Sequence, residues 1–222
     1  MPRSTNSARS GGRYGGGFGY ANAATAESPE VAFFDSKASL DDHMRIIQRQ
    51  VKRSLADPET VQLARRIVSG RYDYVRDPAT GKQVAVVKAW GSHYRAPPGR
   101  ACAPRDAACE IRKIWDFVVL NLRYTFDPQD PDTFSTVKES LDAGGGDCDD
   151  STVMFAALLK AIGFSVVARV ISTDGSKWEH VFAIVGCSHD NPTKWCPLDP
   201  TVDGVQLGWM FPNPRASRDF PM

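Results

Sequence analysis

No apolar run in this 222-residue chain approaches the roughly 18 residues needed to cross a bilayer, which excludes a membrane-spanning helix. Nor does charge of either sign dominate. The 27 Lys and Arg face 26 Asp and Glu, a formal net charge of +1. A chain so balanced, with no dense basic stretch, lacks the electrostatic basis for binding nucleic acid or an anionic membrane surface. The first 26 residues lack the apolar centre of a secretory signal, so export by that route is not expected. Cysteine is scarce: five residues, at 102, 109, 148, 187 and 196. An odd count without an export signal argues against a disulfide framework, and the absence of C-x2-C spacing argues against zinc. With 42 % hydrophobic and 24 % charged residues, collagen, coiled coil and wholesale disorder are excluded as well. What remains is one ordinary globular domain with decorations, long enough to bury a core.

Four stretches follow along the chain. Residues 1–30 form an arm whose first 26 positions hold six Gly, three Arg, two Tyr and one Phe. Taken alone, such a composition buries too little apolar surface to offset its ordering entropy. Residues 31–100 read as a helix pair and a hairpin. Ser39 with Asp42 three residues on is a variant of the capping box. Leu40, Met44, Ile47, Val51 and Leu55 then recur at helical spacing. Asp57-Pro58 starts a second helix that ends at Gly70. Tyr72 to Trp90 reads as a hairpin around the turn Asp77–Gly81.

Residues 101–203 read as a self-contained α+β unit. Asp106 caps a helix carrying Ile111, Ile114, Trp115, Val118, Val119 and Leu122. An irregular acidic stretch runs from Asp127 to Thr136. Beyond Gly144-Gly145-Gly146-Asp147, Cys148 opens an apolar helix closed by Gly163. Strand-like runs follow at 164–171, 180–185 and 195–198, an antiparallel meander packed on that helix. Residues 204–222 read as an extended tail whose Trp209, Met210 and Phe211 plug the core or a partner.

Cys148 is the residue placed for chemistry. A helix start offers free N–H groups and positive dipole character, which favour a thiolate and bind an oxyanion. Glycines before it permit a sharp turn and close approach of a substrate. His180 opens one strand and Asp199 ends the next, the order of a Cys-His-Asp relay in which His takes the thiol proton and Asp orients the ring. Asp149 and Asp150 sit where carboxylates favour a helix dipole. A calcium site beside the cysteine is the alternative, but no other oxygen cluster of calcium spacing supports it. The four remaining cysteines are expected to be reduced and packed, although Cys187 and Cys196 could bridge across a hairpin. His43, His93 and His189 are expected to be solvated, with His189 a rival to His180.

The run GDCDDSTVMFAALLKAIGFSVVARV, the strand His180-Val181-Phe182-Ala183-Ile184-Val185 and the segment Trp195 to Thr201 together resemble the transglutaminase-like superfamily, within the papain-like cysteine fold. The Trp115 helix with Arg123-Tyr124 is similar to that family's lead-in, and the resemblance covers about residues 106–203. It implies a nucleophile helix packed on an antiparallel sheet, with Cys148 as nucleophile, His180 as base and Asp199 as orienting acid. It also implies work on amide bonds of a peptide or cell-wall kind through a thioester, as hydrolase or acyl transferase, with no cofactor and no metal. The Cys148 backbone N–H supplies an oxyanion donor; Tyr124 and Asp147 are candidates for oxyanion or substrate contact. The GDCDD segment further resembles compact bacteriophage-encoded members. That likeness implies synthesis in a bacterial host cytoplasm and a place in a virion, with arm and tail contacting other protein subunits. A structural assembly protein using the fold only for docking is the competing reading.

Overall fold

The computed structural model of the chain describes residues 30–31, 39–125 and 133–222. The Gly- and aromatic-rich arm before Glu30 and residues 126–132 of the acidic stretch lie outside them. In chain order the elements are β1 (Glu30–Val31), α1 (Leu40–Ala56), α2 (Pro58–Ser69), β2 (Asp73–Arg76), β3 (Gln83–Ala89), β4 (Ser92–Arg95) and α3 (Ala107–Asn121). Then come β5 (Arg123–Tyr124), β6 (Thr133–Phe134), α4 (Val137–Ala143), β7 (Gly145–Gly146) and α5 (Cys148–Ala161). Strands β8 (Val166–Ser172), β9 (His180–Gly186), β10 (Trp195–Leu198) and β11 (Ala216–Pro221) complete the order.

Local signals set the helix ends. Ser39 accepts a hydrogen bond from the Asp42 amide at 3.2 Å while the Asp42 carboxylate accepts from the Ser39 amide at 3.3 Å, a complete capping box. Asp57 caps α2 with Pro58 behind it, and Gly70 stops that helix in the left-handed region, φ 63°. Helix α5 is buried on every side from Asp150 to Leu159, so it shows little amphipathic contrast. Helices α1, α2, α3 and α4 pack against it, and Trp115 of α3 stacks on Phe155 with ring centroids 5.7 Å apart.

The main sheet has the order β10-β9-β8-β11 and is antiparallel throughout. Strand alternation divides its side chains between two faces. Val166, Ala168, Val170, Val181, Ala183, Val185 and Leu198 join the core with α5. Ile171, Phe182 and Ile184 form a smaller cluster on the opposite face, with Phe211 against it. The α+β plan of a helix packed on an antiparallel sheet is therefore the observed one.

Several expectations need correction. The hairpin after α2 has a third strand, β4, paired with β3. A short helix, α4, follows the acidic stretch, with its own capping box between Thr136 and Glu139. Val119 points to solvent, 48 % exposed, because it lies off the stripe that Ile114, Trp115 and Val118 turn toward the core. The end of the tail is a strand, β11, hydrogen-bonded along β8 from Ala216 to Pro221. Two disulfides, Cys102–Cys109 and Cys187–Cys196, replace the expected reduced cysteines, their Cα atoms being held 5.6 and 5.9 Å apart. His189 is not solvated: its Nε2 meets Glu110 Oε2 at 2.6 Å and its ring lies 4.1 Å from that of Phe164.

Only Cys148 is left as a free thiol. Thiol titration of the denatured, unreduced protein is expected to count one reactive group per chain, and five after reduction. Five before reduction would overturn the pairing.

Candidate active site

Gly144 ends α4 in the left-handed region, φ 66°, and Gly145–Gly146 then pair in parallel with Arg123–Tyr124. This small ladder brings Tyr124 beside the segment that leads to the cysteine. Gly146 has no room for a side chain: a Cβ there would lie 2.6 Å from Asp150 Cβ. Asp150 is itself buried and accepts from the Ser135 amide at 2.8 Å, so its carboxylate ties the β6 end to α5. Asp147 caps α5, accepting from the Asp149 amide at 3.0 Å. Cys148 is thereby the first helical residue. Its carbonyl accepts from Ser151 Oγ at 3.0 Å and Thr152 Oγ1 at 2.7 Å, which fixes the first turn.

The Cys148 thiol donates to Asp149 Oδ1 at 3.4 Å. Burial pushes this thiol well above its ordinary range, and the Asp149 and Asp147 carboxylates push it the same way. A backbone hydrogen bond from Val181 to the sulfur opposes them and favours the thiolate. From sequence, the helix N-terminus is expected to lower this thiol. Burial of the sulfur and the two flanking carboxylates instead push it up.

Val181 also links the cysteine to the sheet, because it follows His180. The His180 ring stacks on Phe182, two residues along the strand, at 5.7 Å between centroids. His180 Nε2 lies 2.9 Å from Asp199 Oδ2; the His side chain is 18 % exposed and the Asp fully buried. Asp199 comes directly after β10, whose pairing of Leu198 with Ala183 brings it alongside the start of β9. Its second oxygen, Oδ1, accepts from Thr201 Oγ1 at 2.7 Å and from the Thr201 amide at 3.3 Å. Tyr124 faces this cluster. Burial first, then the charges of Cys148, Asp147, Asp149 and Asp199, push its phenol up to about 12, so it keeps its proton at neutral pH.

Cys148, His180, Asp199, Tyr124 and Asp147 thus share one neighbourhood. His189 does not belong to it, lying past the far end of β9 on Glu110. Sequence reasoning assigns no role to Thr201, although the Asp-x-Thr spacing is the signal of a hydroxyl turned back on a carboxylate. Among the described residues, Asp147, Cys148 and Asp149 place three potential ligand atoms within 4.8 Å of one another. Two carboxylates and a sulfur are a poor match to the six to eight oxygens that calcium takes. A cavity of ≈ 330 Å³ on the other sheet face, lined by Arg169, Ile184, Trp195, Pro197, Gly208 and Met210, includes none of the predicted site residues.

Asp149→Asn is expected to lower the pH at which iodoacetamide alkylates Cys148, because one of the charges opposing the thiolate is removed. Peptide mapping against pH reads the shift, and an unmoved or raised midpoint would contradict the assignment. Gly146→Ala is expected to cost about 1–3 kcal/mol in chemical denaturation, since the added methyl collides with Asp150.

Comparison with protein families matches residues 100–200 to the transglutaminase-like superfamily, a span that contains Cys148, His180 and Asp199. Comparison with curated proteins and with solved structures gives no significant match. Residues 100–200 of this chain are thus similar to the transglutaminase-like superfamily domain.

Proposed function

We propose that the protein is a cysteine hydrolase or acyl transferase of amide bonds, with Cys148, His180 and Asp199 as its relay. The observation that carries this reading is the part-buried 2.9 Å pair between His180 and Asp199, set one residue from the amide that bonds the Cys148 sulfur. With Nε2 turned to Asp199, the other ring nitrogen, Nδ1, is the one left to accept the thiol proton. The thiolate then attacks the amide carbonyl carbon. The tetrahedral oxyanion receives hydrogen bonds from the Cys148 amide and the Tyr124 hydroxyl. Collapse breaks the C–N bond, the imidazolium returns its proton to the departing amine, and a thioester remains on Cys148. Water releases an acid; a second amine releases a new amide.

The raised thiol makes the histidine indispensable in this scheme, because few thiolates form without a partner cation. The same feature favours a second reading, a docking module in an assembly such as a virion, in which the thiol stays protonated. In that reading the arm and residues 204–215 make the subunit contacts, since β11 is committed to the sheet.

Peptide and cell-wall-fragment amides, followed by mass spectrometry with hydroxylamine as the trapping amine, test the proposal. Cys148→Ala is expected to abolish turnover, and His180→Ala and Asp199→Asn to reduce it by about 10²–10⁴. A Cys148 that alkylates no faster in wild type than in His180→Ala, with no turnover, would favour docking instead.

A further inference from the structure

We infer that Thr201 is a positioning residue of the relay, holding Asp199 so that one carboxylate oxygen is permanently turned to His180. The inference rests on the proposed relay and extends it by one residue, the last of the Trp195 to Thr201 segment.

A fully buried carboxylate is tolerable only when its oxygens are hydrogen-bonded. Asp199 meets that demand asymmetrically. Oδ2 faces His180 alone, whereas Oδ1 takes both donors that Thr201 offers, the hydroxyl at 2.7 Å and the amide at 3.3 Å. A carboxylate with only the histidine as partner could rotate about its Cα–Cβ and Cβ–Cγ bonds and lose the ring. Two donors converging on the other oxygen prevent that rotation. The hydroxyl carries a single proton and directs it to Asp199, and the β-branched side chain confines the torsion that aims it.

Val202, Asp203 and Gly204 after Thr201 are exposed, and Thr201 itself is only half-buried. Its specific contact is the carboxylate. With Asp199 held, His180 keeps its Nε2 proton toward the acid and its Nδ1 lone pair available for the thiol.

The test is a double-mutant cycle on the full chain, read by the alkylation rate of Cys148 across pH and by thermal unfolding. Thr201→Val keeps the shape and the backbone amide but removes the hydroxyl. It is expected to slow alkylation near neutral pH about tenfold, the loss typical of one hydrogen bond to a charged group. Thr201→Ser is expected to restore the wild-type rate and pH profile. On an Asp199→Asn background, Thr201→Val is expected to add nothing, because both changes act through the same carboxylate. Equal slowing in both backgrounds, or failure of the serine variant to rescue, would overturn the inference while leaving the relay intact. A rate already indifferent to His180→Ala would overturn the relay, and the inference with it. Should Thr201→Val unfold, the serine variant on both backgrounds decides the matter through its pH profile: any departure from wild type that Asp199→Asn does not absorb counts against the positioning role.

Discussion

Everything in the site depends on the burial of α5. Ten consecutive residues, Asp150 to Leu159, are withdrawn from solvent, with four helices on one side and the main sheet on the other. A buried Phe, Leu, Met or Val side chain contributes about 1.5–3 kcal/mol, so Val153, Met154, Phe155, Leu158 and Leu159 fix the depth and rotation of this helix firmly. The helix cannot turn to move its first residue without exposing or overpacking several of them. Cys148 is therefore placed by the buried helix that follows it, and the glycines before it let the chain arrive at that end without collision.

Burial of the helix also decides the electrostatics. A helix N-terminus is worth some 0.3–1 kcal/mol to a nearby anion at an exposed site. Here the cap and first turn already supply Asp147, Asp149 and Asp150, so the positive end of the helix faces carboxylates before it faces a thiolate. Burial of the sulfur and two adjacent carboxylates hold the Cys148 thiol up. The thiol is thus assembled as a neutral group beside a histidine whose other side is a buried acid. In the proposed relay such a site would keep its proton until the ring takes it, and any thiolate would depend on the sheet rather than on the helix.

Much of this is legible in the sequence because the signals are local. Ser39 with Asp42, Asp57-Pro58, Gly70, Asp106 and Gly163 each mark a helix boundary through chemistry within four residues. The Cys148, His180 and Asp199 positions are suggested by the order of a helix and two strands, and it is the resemblance of the GDC segment, the His180 strand and the Trp195 to Thr201 segment to the transglutaminase-like superfamily that singles them out. What escapes depends on distant partners. Cys102 with Cys109 gives no spacing signal, and Cys187 with Cys196 reads only as a pair that a hairpin could bridge; the turn before α3 and the β9–β10 turn bring each pair together. Strand β11 alternates poorly, with Phe220 its one buried side chain, since an edge strand needs little apolar surface of its own. Helix α4 carries a capping box but has seven residues, too few for periodicity to register. His189 reads as a loop residue because Glu110, its partner, lies 79 positions earlier.

Two layers must keep one geometry for the site to persist. Cys148 belongs to the helical layer and His180 with Asp199 to the sheet, so a slide of one layer over the other by about an ångström would part them. The interdigitated side chains of α5 resist such sliding through their shape, but apolar contact carries no direction of its own. Directional bonds resist it better, and β11 supplies them. Lys160 near the end of α5 donates to the Met222 carbonyl, Gln48 of α1 donates to the Pro221 carbonyl at 2.8 Å, and Arg218 pairs with Asp41 at 2.9 Å. On the sheet side the Met222 amide donates to the Val166 carbonyl at 3.1 Å, and Arg169 grips Asp219 through two hydrogen bonds. A strand whose side chains are mostly exposed thus contributes little to the core. Its value lies in fastening α1 and α5 to the sheet edge farthest from Asp199, so that the packing of α5 and the pairing of β9 with β10 cannot drift relative to one another.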